Sequence, residues 1–200
     1  LLNARVKAAY RISLALVQAD KAYKTADEYP DSPLKTGLRI LAAAIVGGLD
    51  IRVGHVIIGG WDTHASQKPD HARLLRNLSD AIHAFYEDLK AHGRADDVVI
   101  MTWSEFGRRA KSNGSDGTDH GSAAPLFIIG NSVRGGFYGQ RPDLGALTGD
   151  NLRFTTDFRS VYASVLEQWL GVPSNGILGK QFETLPIFST AGPTGQSSRR

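Results

Sequence analysis

Ile51-Arg52-Val53-Gly54-His55-Val56-Ile57-Ile58-Gly59-Gly60-Trp61-Asp62-Thr63-His64 is the stretch on which the fold reading turns. Its first eight residues are short, mostly apolar and bounded by glycines, the pattern of a strand buried on both faces. His55, inside that run, reads as a hydrogen-bonded core histidine. Gly59-Gly60 lets the backbone turn tightly where the strand ends. Asp62 and His64 follow at once, so the stretch predicts a buried strand that delivers a carboxylate and an imidazole to a loop.

Working outward, the chain alternates between two periodicities. Upstream, residues 1–22 read as a helix with Val6, Tyr10, Leu14 and Val17 on one face. Ser32-Pro33 reads as the start of the next helix, with Ser32 capping and Pro33 in the first turn. Leu34, Leu38, Leu41, Ile45 and Leu49 then keep helical spacing up to Gly47-Gly48 and the strand. Downstream, Pro69 opens a helix with the stripe Leu74, Leu75, Leu78, Ile82, Phe85 and Leu89, closed by Gly93. A second strand is expected over 98–103 and a third over 125–129, with a long polar loop, 104–124, between them. A loop of that length in a compact domain is more often functional than idle. Residues 132–153 read as irregular, with a short edge strand near Phe137-Tyr138. The last helix is expected to be capped by Thr155 or Thr156, to bury Phe158, Val161, Tyr162, Val165, Trp169 and Leu170, and to stop at Gly171 and Pro173. This order predicts a single α/β domain over 1–189, with a doubly wound, mostly parallel sheet flanked by helices. The Gly/Ser/Thr/Pro/Arg-rich residues 190–200 read as a disordered tail.

Composition narrows the function. The chain has 200 residues, 42% apolar and 22% charged, with a formal net charge of +3. That is the balance of an ordinary globular domain. The basic residues are scattered and not interleaved with aromatics, so a nucleic-acid interface is not expected. No apolar run approaches the length of a membrane span. There are no cysteines, which excludes disulfides, thiolate metal sites and a cysteine nucleophile. A Gly-x-Ser-x-Gly elbow, a phosphate-binding loop and a Gly-x-Gly-x-x-Gly turn are all absent, so the usual serine-hydrolase and nucleotide-fold signatures are missing.

What remains is a set of carboxylates and imidazoles at expected strand ends, where open sheets bind ligands. Asp62 and His64 follow the first strand, Glu105 follows the second, and Asp119-His120, between Gly117 and Gly121, precedes the third. Together they read as a metal site or an acid–base cluster. Oxygen and nitrogen donors without sulfur suit zinc or manganese, with calcium and magnesium compatible. Plainer readings stand beside these. Asp62 could cap a turn with His64 merely exposed, Asp119-His120 could be a polar turn, and Glu105 could pair with Arg108 and Arg109. Those arginines could instead bind an anionic substrate, since a guanidinium fork matches phosphate or sulfate oxygens. His71, His83 and His92 sit on the long helix or its end, and Asp157 complements the dipole of the last helix.

The stretches GGWDTHASQ, VVIMTWSEFGRR, NGSDGTDHGSAAPLFIIG, GGFYG and TTDFRSVYASVLEQWLG, in that order from about 51 to 171, resemble the bacterial domain of unknown function 1501 family. That family is placed with the alkaline phosphatase and sulfatase superfamily. The resemblance implies a metal-dependent hydrolase of phosphate or sulfate esters, with Asp62, His64, Asp119 and His120 as metal ligands and Glu105 as a further ligand or general base. Arg108 would bind the small anionic substrate. Where the superfamily carries an Asp-His pair, this chain has Glu105 and Phe106, which weakens a second metal position. The superfamily's nucleophile lies near an earlier strand, so the chain, beginning mid-helix at Leu1, reads as the C-terminal half of such a domain. The resemblance also implies an extracytoplasmic home. The alternative is a non-catalytic binding or cell-envelope module that keeps the hydrolase fold.

Overall fold

A computed structural model describes residues 2–189; the tail expected over 190–200 lies outside the described residues. The chain separates into two compact units, Leu1–Thr63 with Lys68–Ala95, and His64–Gln67 with Asp96–Arg200.

The first unit is helical. α1 spans Leu2–Ala22, α2 Lys35–Val46 and α3 Gln67–Ala91, the opening residue of α3 grouping with the second unit. α1 packs on α2, and Arg39 of α2 pairs with Asp20 of α1 at 2.5 Å. The α1 face read from the sequence is the outer one: Val6, Tyr10, Leu14 and Val17 are all exposed. α2 starts later than expected. Ser32, Pro33 and Leu34 form a turn, Leu34 precedes the helix without a side-chain cap, and Ala42, Ala43 and Ala44 are its buried positions. In α3, Leu74, Phe85 and Leu89 are buried as the stripe predicts, joined by Ala81 and Ala84, while Leu75 is exposed. Gly93 ends it as expected, at φ +67°, a backbone conformation that suits glycine.

A carboxylate belongs to this core. Asp88 is fully buried. Its Oδ2 accepts hydrogen bonds from the Tyr23 hydroxyl at 2.6 Å and the Tyr29 hydroxyl at 2.7 Å, and its Oδ1 accepts from the Ala26 amide at 2.8 Å. His92 Nδ1 stands 3.3 Å from the same carboxylate. The acid therefore ties the segment after α1 to the last turn of α3. Burial first, and the bond to Asp88 second, push both phenols above their ordinary range.

The expected doubly wound, mostly parallel sheet is not present among the described residues. Residues 51–58 form no ladder, and Val53 and Ile57 are exposed. His55 is exposed rather than a core histidine. The segment lies on α2 instead, with Val56 filling the space where Gly37 would carry a Cβ. Ile51, Val56 and Ile58 are half-buried, and an extended chain without a partner is not a strand. β1 (Ile100–Met101) pairs with β4 (Ile128–Ile129), and β2 (Gly107–Arg108) pairs with β3 (His120–Gly121), both ladders antiparallel. The hand of the first pairing follows from the connection. A parallel return needs a crossover, usually a helix, whereas segment 102–127 contains only the β2–β3 hairpin, so the chain comes back antiparallel. Phe137 stands fully exposed, outside any ladder.

The second unit ends in helical structure. α4 spans Phe158–Ser164, and its cap is Asp157 rather than a threonine; Thr155 Oγ1 instead donates to the Gln140 carbonyl. Residues Val165–Trp169 widen into a π-helical turn, closed by the Leu170 amide on the Val165 carbonyl at 3.0 Å. The buried residues of α4 are Ala163 and Ser164, whereas Phe158 is exposed. A short α5, Asn175–Leu178, follows, and segment 181–189 then runs back over the unit. Leu185 donates its amide to the Ser164 hydroxyl, and Arg134 donates its amide to the Ile187 carbonyl.

Asp157 supplies a pH test. Its carboxylate accepts from the Arg159 amide at 2.9 Å and the Arg159 guanidinium at 2.6 Å, and those bonds hold its pKa down to about 2. A carboxyl whose folded pKa is depressed stabilises the fold above its ordinary value of 3.8 and loses that contribution as pH falls toward about 2. Asp157→Ala is expected to cost about 1 kcal/mol at neutral pH. In urea titrations the gap to the native protein should close between those two pH values. A gap of unchanged size at the acid end would reject the assignment.

Candidate metal centre

The site is built in the second unit by two chain segments, 64–67 and 104–121. The β2–β3 ladder sets Arg108 opposite His120 and Gly107 opposite Gly121. Segment 64–67 lies along the returning loop: Ala65 bridges to Asp116, Ser66 donates its amide to the Ser115 carbonyl at 2.9 Å, and Gln67 donates its amide to the Asp116 carbonyl at 2.9 Å. The Gln67 side-chain amide and the Thr118 hydroxyl bond to each other at 3.0–3.1 Å. Gly117 and Gly121 allow the segments to approach closely. A Cβ at Gly117 would overlap the His64 backbone, and one at Gly121 the Arg108 backbone.

Those contacts bring the two imidazoles together. The rings of His64 and His120 lie 4.9 Å apart between centroids, with ligand nitrogens within 4.8 Å of one another. His64 Nδ1 faces Asp119 Oδ1 at 3.4 Å. The Asp119 carboxyl is held below its ordinary value, first by the hydrogen bond from Asn113; burial, the next effect in size, opposes this, and the His64 bond and the nearby Arg109 charge add to the lowering. Phe106 stacks face to face on His120, centroids 3.8 Å apart and planes 9° from parallel. The Arg108 guanidinium stands 4.9 Å from the Phe106 ring centre, and Arg108 also donates to the Thr118 carbonyl.

The sequence-derived residues are therefore placed unevenly. His64, Asp119 and His120 come together. Asp119 meets the ring of His64, the position of an orienting partner, rather than completing a ligand cage among the described residues. Asp62 is exposed at the end of the first unit, two residues before His64 in the chain. Glu105 is exposed and outside the His64–His120 group. Arg108 is engaged with Phe106 and the loop backbone, and Arg109 is exposed. Among the remaining histidines, His71 packs edge-on against Trp61, His83 is exposed and His92 serves Asp88. Sequence reasoning missed Asn113. Its only signal was Asn113-Gly114 as a turn pair, and nothing in a turn pair foretells a bond to residue 64.

The family pattern described as "Protein of unknown function (DUF1501)" matches residues 2–170, and the chain belongs to that family. No curated protein and no solved structure matches it.

Proposed function

We propose that this domain binds a divalent ion, zinc or manganese, through His64 and His120, and that the ion serves hydrolysis of a phosphate or sulfate ester. The observation that carries the reading is the imidazole pair with a carboxylate on the ring nitrogen of one member. Metal-binding histidines typically present one nitrogen to the ion and the other to a carboxylate or carbonyl, and Asp119 on His64 matches that arrangement. Two zinc–nitrogen bonds of about 2.0–2.1 Å in tetrahedral geometry put the nitrogens roughly 3.4 Å apart. From within 4.8 Å, exposed rings can close that gap by side-chain rotation. Asp62, two residues before His64 in the sequence, is the oxygen donor that completes the set in this reading. A bound ion would neutralise charge developing on the ester and lower the pKa of bound water. Arg108 would orient the anionic group and Glu105 would act as general base. Kinship with the alkaline phosphatase and sulfatase superfamily, and an extracytoplasmic location, rest on the motifs.

Zinc titration calorimetry tests the site. His64→Ala and His120→Ala are expected to weaken binding at least about 100-fold, while His83→Ala, an exposed histidine of α3, should match the native protein. Equal affinity for all four proteins would reject the assignment. Aryl phosphate and aryl sulfate supplied to the zinc-loaded protein then test the chemistry, with turnover lost in both site variants. Phe106 stacked on His120 puts an apolar ring against one of the two imidazoles and favours a second reading, a module that binds without catalysis. Zinc binding with no turnover of either ester would select it.

A further inference from the structure

We propose that Asn113 is the positioning residue of this site, the clasp that fixes His64 and Asp119 relative to each other; the inference deepens the metal reading above and rests on it. Asn113 uses its whole side chain. Nδ2 donates to the His64 carbonyl at 2.9 Å and to Asp119 Oδ1 at 3.2 Å. Oδ1 accepts the amides of Ser115 at 3.0 Å and Gly117 at 3.1 Å. The two halves of the amide do different work. The acceptor half shapes the loop within its own turn, with help from the Asn113 amide on the Gly117 carbonyl at 2.8 Å. The donor half reaches 49 residues back along the sequence and joins the backbone of one imidazole residue to the carboxylate that faces its ring.

That carboxylate oxygen is shared. Asp119 Oδ1 accepts from Asn113 Nδ2 and faces His64 Nδ1 as well. A fixed donor on one side of the oxygen limits where the carboxylate can turn, and a fixed carboxylate sets which imidazole nitrogen carries the proton. Asn113 donates to the Asp119 carboxylate and to the His64 carbonyl, so it acts through Asp119 and through the His64 backbone. Outer-shell partners of this kind typically set metal affinity by about 10–100-fold.

Asn113→Asp separates the two halves, because it keeps an acceptor for the Ser115 and Gly117 amides while replacing the donor with an oxygen that repels the His64 carbonyl and Asp119. Asn113→Ala removes both. In zinc titrations Asn113→Asp and Asn113→Ala are both expected to bind about 10–100-fold more weakly than the native protein, and Asn113→Ala is expected also to release the Ser115 and Gly117 amides that Asn113→Asp keeps. In metal-free protein the nitrogen shifts of the His64 ring should report a single tautomer, protonated at Nδ1, and Asn113→Asp should lose that preference. Native affinity together with a native ring signature in Asn113→Asp would overturn the proposal. A native protein that binds no zinc would sink the metal reading, and the ring signature would then decide on Asn113 alone: lost in Asn113→Asp in support, unchanged against.

Discussion

Asp88→Ala is expected to destabilise the helical unit by about 4 kcal/mol. The estimate follows from what the change strands. Two phenol hydroxyls and one backbone amide lose their acceptor, and each buried polar group left unpaired costs roughly 1–3 kcal/mol. Tyr29 is buried, so water cannot reach it easily, whereas Tyr23 is half-buried and recovers part of its loss. At roughly 2–4 °C per kcal/mol for a chain of this size, the melting temperature should fall by about 10 °C. Asn in place of Asp keeps an acceptor oxygen and should lose about half as much. Urea unfolding of the three proteins checks the order, and a loss below about 1 kcal/mol for Asp88→Ala would show that solvent replaces the carboxylate.

Gly117→Ala is expected to abolish the site while leaving the helical unit folded. An added methyl at residue 117 has no side chain to push aside. It meets the backbone of His64, and that backbone is held by Asn113 and, through Ala65, Ser66 and Gln67, by the loop itself. Relief requires the two segments to part, which breaks the bonds that bring His64 to Asp119 and His120. Zinc affinity should fall at least about 100-fold, beyond the loss expected for Asn113→Asp, while the unfolding transition that reports Asp88 stays in place. Native affinity in Gly117→Ala would mean that the loop has a second way to seat His64.

How far the sequence reveals this structure depends on how local each cause is. α3 was legible because its apolar spacing and its closing glycine act within a few turns of the chain. His64, Asp119 and His120 were legible as candidates because each lies beside or near a residue of the complementary type in the chain, but that they meet depends on the loop bonds of 64–67, which spacing does not encode. The sheet was not legible. Residues 51–58 have the composition of a buried strand, yet a strand exists only beside a partner, and here the surface of α2 takes that place. The face of α1 inverted for a related reason. Val6, Tyr10, Leu14 and Val17 are a valid helical stripe, but the half-buried positions of α1 include Ala8, Ala15 and Ala19, residues small enough to let helices approach closely. The role of Asp119 was half legible: the residue was found, but whether it meets a metal or its neighbour's ring depends on a rotation that spacing does not encode.

Segment 181–189 carries a consequence for where this protein can be divided. The family match stops at residue 170, but the folded unit continues past it. The buried Ile187 and Phe188 belong to its core, Phe188 stacks on Trp169 with centroids 6.0 Å apart, and Ser164, itself fully buried, receives the Leu185 amide. Gln168 of the π-helical turn donates to the Leu185 carbonyl from the same side. A chain ended at residue 170 would thus open the interior of the unit to water and leave the wide turn without its cover. The stretch that marks kinship ends before the packing of its last helical turns is complete.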